Sequence, residues 1–278
     1  MSFLVLLLVL WVEKFSSWRA RIQQDGAWLR LLAWVERQTA FRHNPWLQLA
    51  MLVLVPVAAL ALLLAVLGVP LHGWLTLPVH LWVLVYSLGR GDPLVALGPF
   101  RDAWRREDVE AAYLVAQRDL NVEAPDTAGL LQQAQGFLLW QGYQSFFAVI
   151  FWYALLGPLA AIAYRLLALT VEHAEDPALR VRAGQWRHAF DWLPVRLLAG
   201  SFALVGSFVA VSRVLLNELL NWNISAAQLI ANSGRAAEDF GAPTLGESGV
   251  SSLDGLWQLL VRAGVFWYAG FAVWTLLF

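Results

Sequence analysis

The sequence predicts an all-α protein: a polytopic transmembrane helical bundle of about five or six spans, with amphipathic helices on its cytoplasmic side. Three observations predict it. Of the 278 residues, 59% are hydrophobic and only 14% charged, and the mean hydropathy is +0.58, outside the range of a soluble domain. Apolar runs near the ~20 residues that a spanning helix needs recur along the chain. Tryptophans near the ends of these runs (Trp11, Trp18, Trp46, Trp74, Trp192, Trp222 and Trp257) suit the interface, where an indole buries one edge and hydrogen-bonds with the other.

The first apolar run, Phe3 to Val12, lacks the basic start and small-residue cleavage site of a signal peptide, so it reads as a retained anchor. It is too short to span unless Glu13 lies inside the membrane. Leu47 to Leu67 is long enough, entered by Pro45 and ended by Gly68. Leu71 to Leu88 is shorter and carries His80. Tyr143 to Tyr164 reads as one span kinked at Gly157-Pro158, because proline has no donor for the helical ladder. Leu197 to Leu216 and Gly255 to Phe278 follow, the last spanning only if Arg262 faces the bundle or an interface.

Between the spans, Arg101 to Leu120 has helical apolar spacing, with Asp102 and Arg106 four apart on its polar face, and predicts an amphipathic helix. Ser225 to Gly255, with its glycines and serines, predicts a loop. The whole is read as one integral membrane domain, residues 1–278, with a cytoplasmic helical insertion at about 89–142 and a loop at about 218–255.

Lys14 to Arg42 and Arg90 to Arg118 are rich in basic residues, whereas the Gly68 to Gly73 connection has none. Basic loops stay in the cytoplasm, so both basic segments face inward and the chain starts outside. Continuing the count puts Arg180, Arg182 and Arg187 outside; a re-entrant or interfacial fourth or fifth segment would restore the rule.

Composition also bounds function. A net charge of −1 with scattered arginines offers no concentrated basic surface for nucleic acid. With no cysteine, disulfides, thiolate nucleophiles and iron–sulfur ligation are excluded. No P-loop, zincin, serine-elbow or dinucleotide fingerprint occurs, so no motif supports ATP; no catalytic residue, metal or cofactor is predicted, while a bound lipid is compatible with the composition.

The most informative stretch is "AFDWLPVRLLAG", residues 189–200. If Asp191 caps a helix with Pro194 in its first turn, Asp191 has a structural role. Arg196 then opposes that helix's dipole by ~0.3–1 kcal/mol at the edge of hydrocarbon and needs an anion. It could pair with Asp191, or the two could hold an anionic headgroup together. Leaving Arg in lipid costs roughly 2.5–3.5 kcal/mol, so ionisable groups at membrane depth should turn inward. Glu13, His80, Asp191, Arg196 and Arg262 are the candidate lining of a polar intramembrane ligand site; separate local pairs that fix helix register are the alternative. Ala199, Ala203 and Ser207, four apart, form a small-residue face suited to intramolecular packing or homodimerisation.

"LVLWVEKF" at 8–15, "YSLGRGD" at 86–92 and "DWLPVRL" at 191–197 together resemble the AmpE family, inner-membrane proteins of Gram-negative bacteria associated with β-lactamase induction. That family is similar to the larger CobD/CbiB family, which attaches an aminopropanol arm to a corrinoid. "DWLPVRL", "LLGPLAAIAYRLL" at 155–167 and "ANSGRAAEDFGAPTLG" at 231–246 are similar to its stretches. Where the corrinoid enzymes carry an acidic signature, this chain has "LLWQGYQSFFAVIF" at 138–151, with neutral Gln141 and Gln144.

The resemblance therefore implies a retained scaffold without ligase chemistry: a non-enzymatic, multi-pass inner-membrane modulator of the signalling that links peptidoglycan turnover and β-lactam exposure to β-lactamase expression. A residual ligase acting on an anionic intermediate is the second reading. A binder of lipid, quinone or a partner membrane helix is the third. The expected partners are membrane lipids and a membrane protein or a second copy of the chain.

Overall fold

The computed structural model describes residues 22–38, 44–68, 75–89, 91–238 and 245–277. Among them every regular element is helical. In chain order these are α1 (Gly26–Arg37), α2 (Pro45–Gly68), α3 (Thr76–Ser87), α4 (Pro93–Arg105), α5 (Val109–Val115), α6 (Thr127–Gly142), α7 (Ala148–Leu156), α8 (Pro158–His173), α9 (Pro177–Val205), α10 (Phe208–Glu218), α11 (Ala226–Glu238) and α12 (Glu247–Leu277). Wider π-turns at Ala116–Leu120 and Tyr143–Phe147 follow α5 and join α6 to α7.

Among the described residues two helices are long and apolar enough to cross a membrane, α2 and residues 247–274 of α12. Their exposed faces are hydrocarbon: Leu54, Leu62 and Val66 on α2 are 62%, 68% and 62% exposed, and Val265 on α12 is 65% exposed. A core helix of a soluble domain would bury such side chains; lipid leaves them outward at no cost.

The chain clusters into two compact units, each built from two stretches: residues 1–88 with 148–191, and residues 89–147 with 192–278. In the first unit α8 packs against α2, α3 and α7, and α1 lies on α2. Val35, Leu52, Val83, Leu169, Leu179 and Ala183 are fully buried in its core. In the second, α6 is packed by α4, α11 and α12, and α10 lies on α11. Close approach needs small residues here: a Cβ on Gly234 of α11 would come within 2.6 Å of Leu139 of α6, and one on Gly142 within 2.7 Å of Leu260 of α12.

Several elements depart from the sequence expectation. The Tyr143 to Tyr164 stretch is not one kinked span. It ends at Gly157, whose φ of +78° and ψ of −164° only glycine tolerates, and Pro158 then starts α8 at the position where a missing N–H costs nothing. α8 folds back and packs along α7. Leu197 to Leu216 is likewise not a single span: α9 begins twenty residues earlier, at Pro177, and breaks at Gly206-Ser207 before α10.

The predicted amphipathic helix at 101–120 is broken by Glu107 in the left-handed region (φ 58°), after which Asp108 accepts from the Ala111 amide to cap α5. Asp102 approaches Arg105 at 3.7 Å in place of Arg106. The predicted loop at about 218–255 contains α11. Its buried Ala226, Leu229, Ile230, Ser233, Gly234 and Ala237 follow helical spacing with small side chains, a pattern masked by their mixed polarity. Arg105 and Arg101 hold the first turns of α12, donating to Glu247 (2.8 Å) and Asp254 (2.5 Å); the bond to Glu247 keeps the Arg105 guanidinium above its ordinary pKa.

Candidate functional site

The fold-back at Gly157 decides which side chains meet in the first unit. α8 runs from Leu159, packed in a core with Leu64 and Val79, down to His173, whose ring meets Trp28 of α1 edge-on at 6.4 Å. The turn after α8 is tied to the same end, because Glu36 accepts from the amides of Glu175 (2.9 Å) and Asp176 (3.2 Å). Arg182 then stacks over Trp46 in the first turn of α2, 5.0 Å from the ring centroid. At this end too, Gln23 donates to the carbonyls of Val85 and Leu88.

Inside that end lies a buried polar cluster. Tyr164 of α8 donates to Asp191 of α9 at 2.9 Å, and the other oxygen of Asp191 lies 3.8 Å from Nε of Arg187, one turn earlier. Asp191 is 2% and Arg187 9% exposed. Tyr86 of α3 donates to Asp25 at 3.1 Å. Arg165 is half-buried beside this group. Its guanidinium feels the attraction of Glu172 and the repulsion of Arg187, with Tyr86 and Tyr164 also close enough to act on it.

No hydrogen bond reaches Arg165 among the described residues, and its Nε is fully buried without a partner. One buried and one half-buried guanidinium close to each other form an arrangement suited to anion recognition, since each presents planar donors that match a carboxylate or phosphate. Sequence reasoning passed over Arg165, Arg187 and Tyr164. The available signals were an arginine inside the apolar run "YRLLALT" and the four-residue spacing of Arg187 and Asp191.

The residues chosen from sequence lie as follows. Glu13 is outside the described residues. His80 Nδ1 hydrogen-bonds to the Tyr153 hydroxyl at 2.9 Å, joining α3 to α7 in the first unit. Asp191 belongs to the cluster just described and is no helix cap: Pro177 begins the helix, so Asp191 and Pro194 are interior to α9.

Arg196 lies in the second unit. Its Nε donates to Leu219 O (2.6 Å), one Nη to Trp192 O (2.9 Å) and the other to Asn221 O (2.7 Å) and Glu218 O (3.3 Å). Trp192 stacks on the guanidinium at 4.3 Å. The anion it was expected to need is the carbonyl end of α10, where a cation is favoured by the helix dipole.

Arg262 does the same for two other helices. It binds Glu238, the last residue of α11, and donates to Val205 O, the last carbonyl of α9, at 3.1 Å. The small-residue face is occupied inside the second unit. Ala199 and Ala203 are 0% and 6% exposed, and the Ser207 amide donates to Ala237 O at 2.9 Å. Among the described residues no group of three or more His, Asp or Glu could hold a metal ion.

No curated protein and no solved structure matches the chain. The family described as regulatory signalling modulator protein AmpE matches residues 1–231, a stretch that includes the Tyr164, Arg165, Arg187 and Asp191 cluster as well as Arg196 and stops short of Arg262. With more than half its length so matched, the chain belongs to the AmpE family of regulatory signalling modulators.

Proposed function

We propose that the protein is a multi-pass inner-membrane modulator that acts by binding, without catalysing a reaction, in the signalling that couples peptidoglycan turnover and β-lactam exposure to β-lactamase induction. Membership of the AmpE family carries this reading. The outward hydrocarbon faces of α2 and α12 support membrane residence, and the remaining passes of a bundle of about five or six are part of the proposal. The buried cluster of Arg187, Asp191 and Tyr164 supports a binding role, because guanidinium groups recognise anions.

Deleting the gene in a host with inducible β-lactamase tests the proposal. The ratio of induced to basal β-lactamase activity should change and return to the parental value when the intact chain is supplied. An unchanged ratio overturns the reading, and a new requirement for a corrinoid would point instead to residual ligase activity.

A further inference from the structure

We propose that Arg165 is the centre of an oxyanion-binding site in the first unit, taking one phosphate-type group such as that of a phospholipid headgroup or a soluble phosphorylated ligand. Other arginines of the helices have protein partners. Arg196 is bound by four carbonyls, Arg262 by Glu238 and Val205 O, Arg180 by Ala174 O at 2.6 Å, and Arg187 approaches Asp191. The Arg165 side chain has no hydrogen bond among the described residues and its Nε is fully buried, whereas Arg187, whose Nε is likewise buried, is ion-paired with Asp191.

A guanidinium keeps its charge in apolar surroundings, and the buried Nε of Arg165 meets no protein acceptor while the rest of the half-buried group stays accessible to a ligand. The surroundings define what fits. Arg187, acting on Arg165 through space, adds a second positive charge. Asp191, the buried carboxylate nearest to Arg187, is already engaged by Tyr164. Glu172, two turns along the same face of α8, is exposed, and we take its side as the one from which a ligand arrives. A tetrahedral oxyanion approaching from that side could accept two bonds from the Nη groups of Arg165 while relieving its repulsion with Arg187.

The inference deepens the binding role proposed above but rests on geometry, so the two fail separately. Loss of anion binding leaves the induction phenotype to be judged on its own, and an unchanged induction ratio leaves the binding result standing. The test uses the full chain in lipid nanodiscs, read by thermal unfolding. In phosphatidylcholine discs inorganic phosphate is titrated against chloride at constant ionic strength; in a second arm phosphatidylglycerol replaces part of the phosphatidylcholine with no phosphate added.

Saturable stabilisation by phosphate supports a soluble ligand, and stabilisation confined to phosphatidylglycerol discs supports a headgroup. In either case Arg165→Gln should raise the midpoint about tenfold or more. Glu172→Gln, at an exposed position, should lower it by removing a competing anion, and it decides the matter if Arg165→Gln does not fold. No saturable response in either arm overturns the proposal, as does a response that neither variant alters.

Discussion

Arg196 and Arg165 show how differently two arginines in apolar surroundings are resolved. Arg196 meets three carbonyls at and just beyond the end of α10 and one on its own helix, and the indole of Trp192 covers its face. A lysine has the charge without the planar fork and cannot reach this fan of acceptors. Arg196→Lys should therefore destabilise the folded protein by about 2 kcal/mol, measured by chemical unfolding in detergent, and an unaltered midpoint would refute the capping role. The residue was legible in the sequence as one that needed negative partners. Its partner was not, because the expectation placed the helix start at Asp191, whereas Pro177 begins α9 and turns the local problem into one of capping a neighbour.

Among the elements, the α7–α8 hairpin depends most on a single backbone conformation. Gly157 has open space where a Cβ would stand, so alanine there costs only the strain of φ +78° and ψ −164°. Gly157→Ala should destabilise by ~1–3 kcal/mol, read from the same unfolding curves, and a neutral effect would mean that the reversal tolerates another geometry. Hydropathy could find the apolar run but not its direction, since a kinked span and a hairpin have the same composition; only the tolerance of glycine for that φ distinguishes them. α11 was missed for the opposite reason. Its buried face is built of Ala, Ser and Gly, which read as loop residues yet are what allow it to approach α6. Pro194 is a third case: it offers the Phe190 carbonyl no donor, and α9 nonetheless continues through it.

At the scale of the whole molecule, the hairpin bears on the expected charge pattern. Had Tyr143 to Tyr164 crossed once, Arg180, Arg182 and Arg187 would have faced outward. Because α8 returns, Arg180 and Arg182 share an end with Arg30, Arg37 and Trp46, fixed by the Glu36 amide contacts and the Arg182–Trp46 stack, and the proposed cytoplasmic side would hold them together. The chain contains no cysteine, so single reporters are unambiguous. Gln185→Cys should react with an impermeant maleimide in inside-out vesicles, and Leu75→Cys, beside the first turn of α3, in right-side-out vesicles. The reverse pattern would invert the assigned orientation.

Sequence thus gave the class and the apolar runs, which depend on composition, and left the pairing of elements to backbone detail at Gly157 and Gly206. The chain passes between its two units at residues 88–89, 147–148 and 191–192. During synthesis, then, the ribosome must deliver the first part of each unit before the second part of either exists. Until Asp191 has emerged, neither unit has all its parts. No single cleavage can release one unit whole, and premature termination anywhere before that point leaves neither.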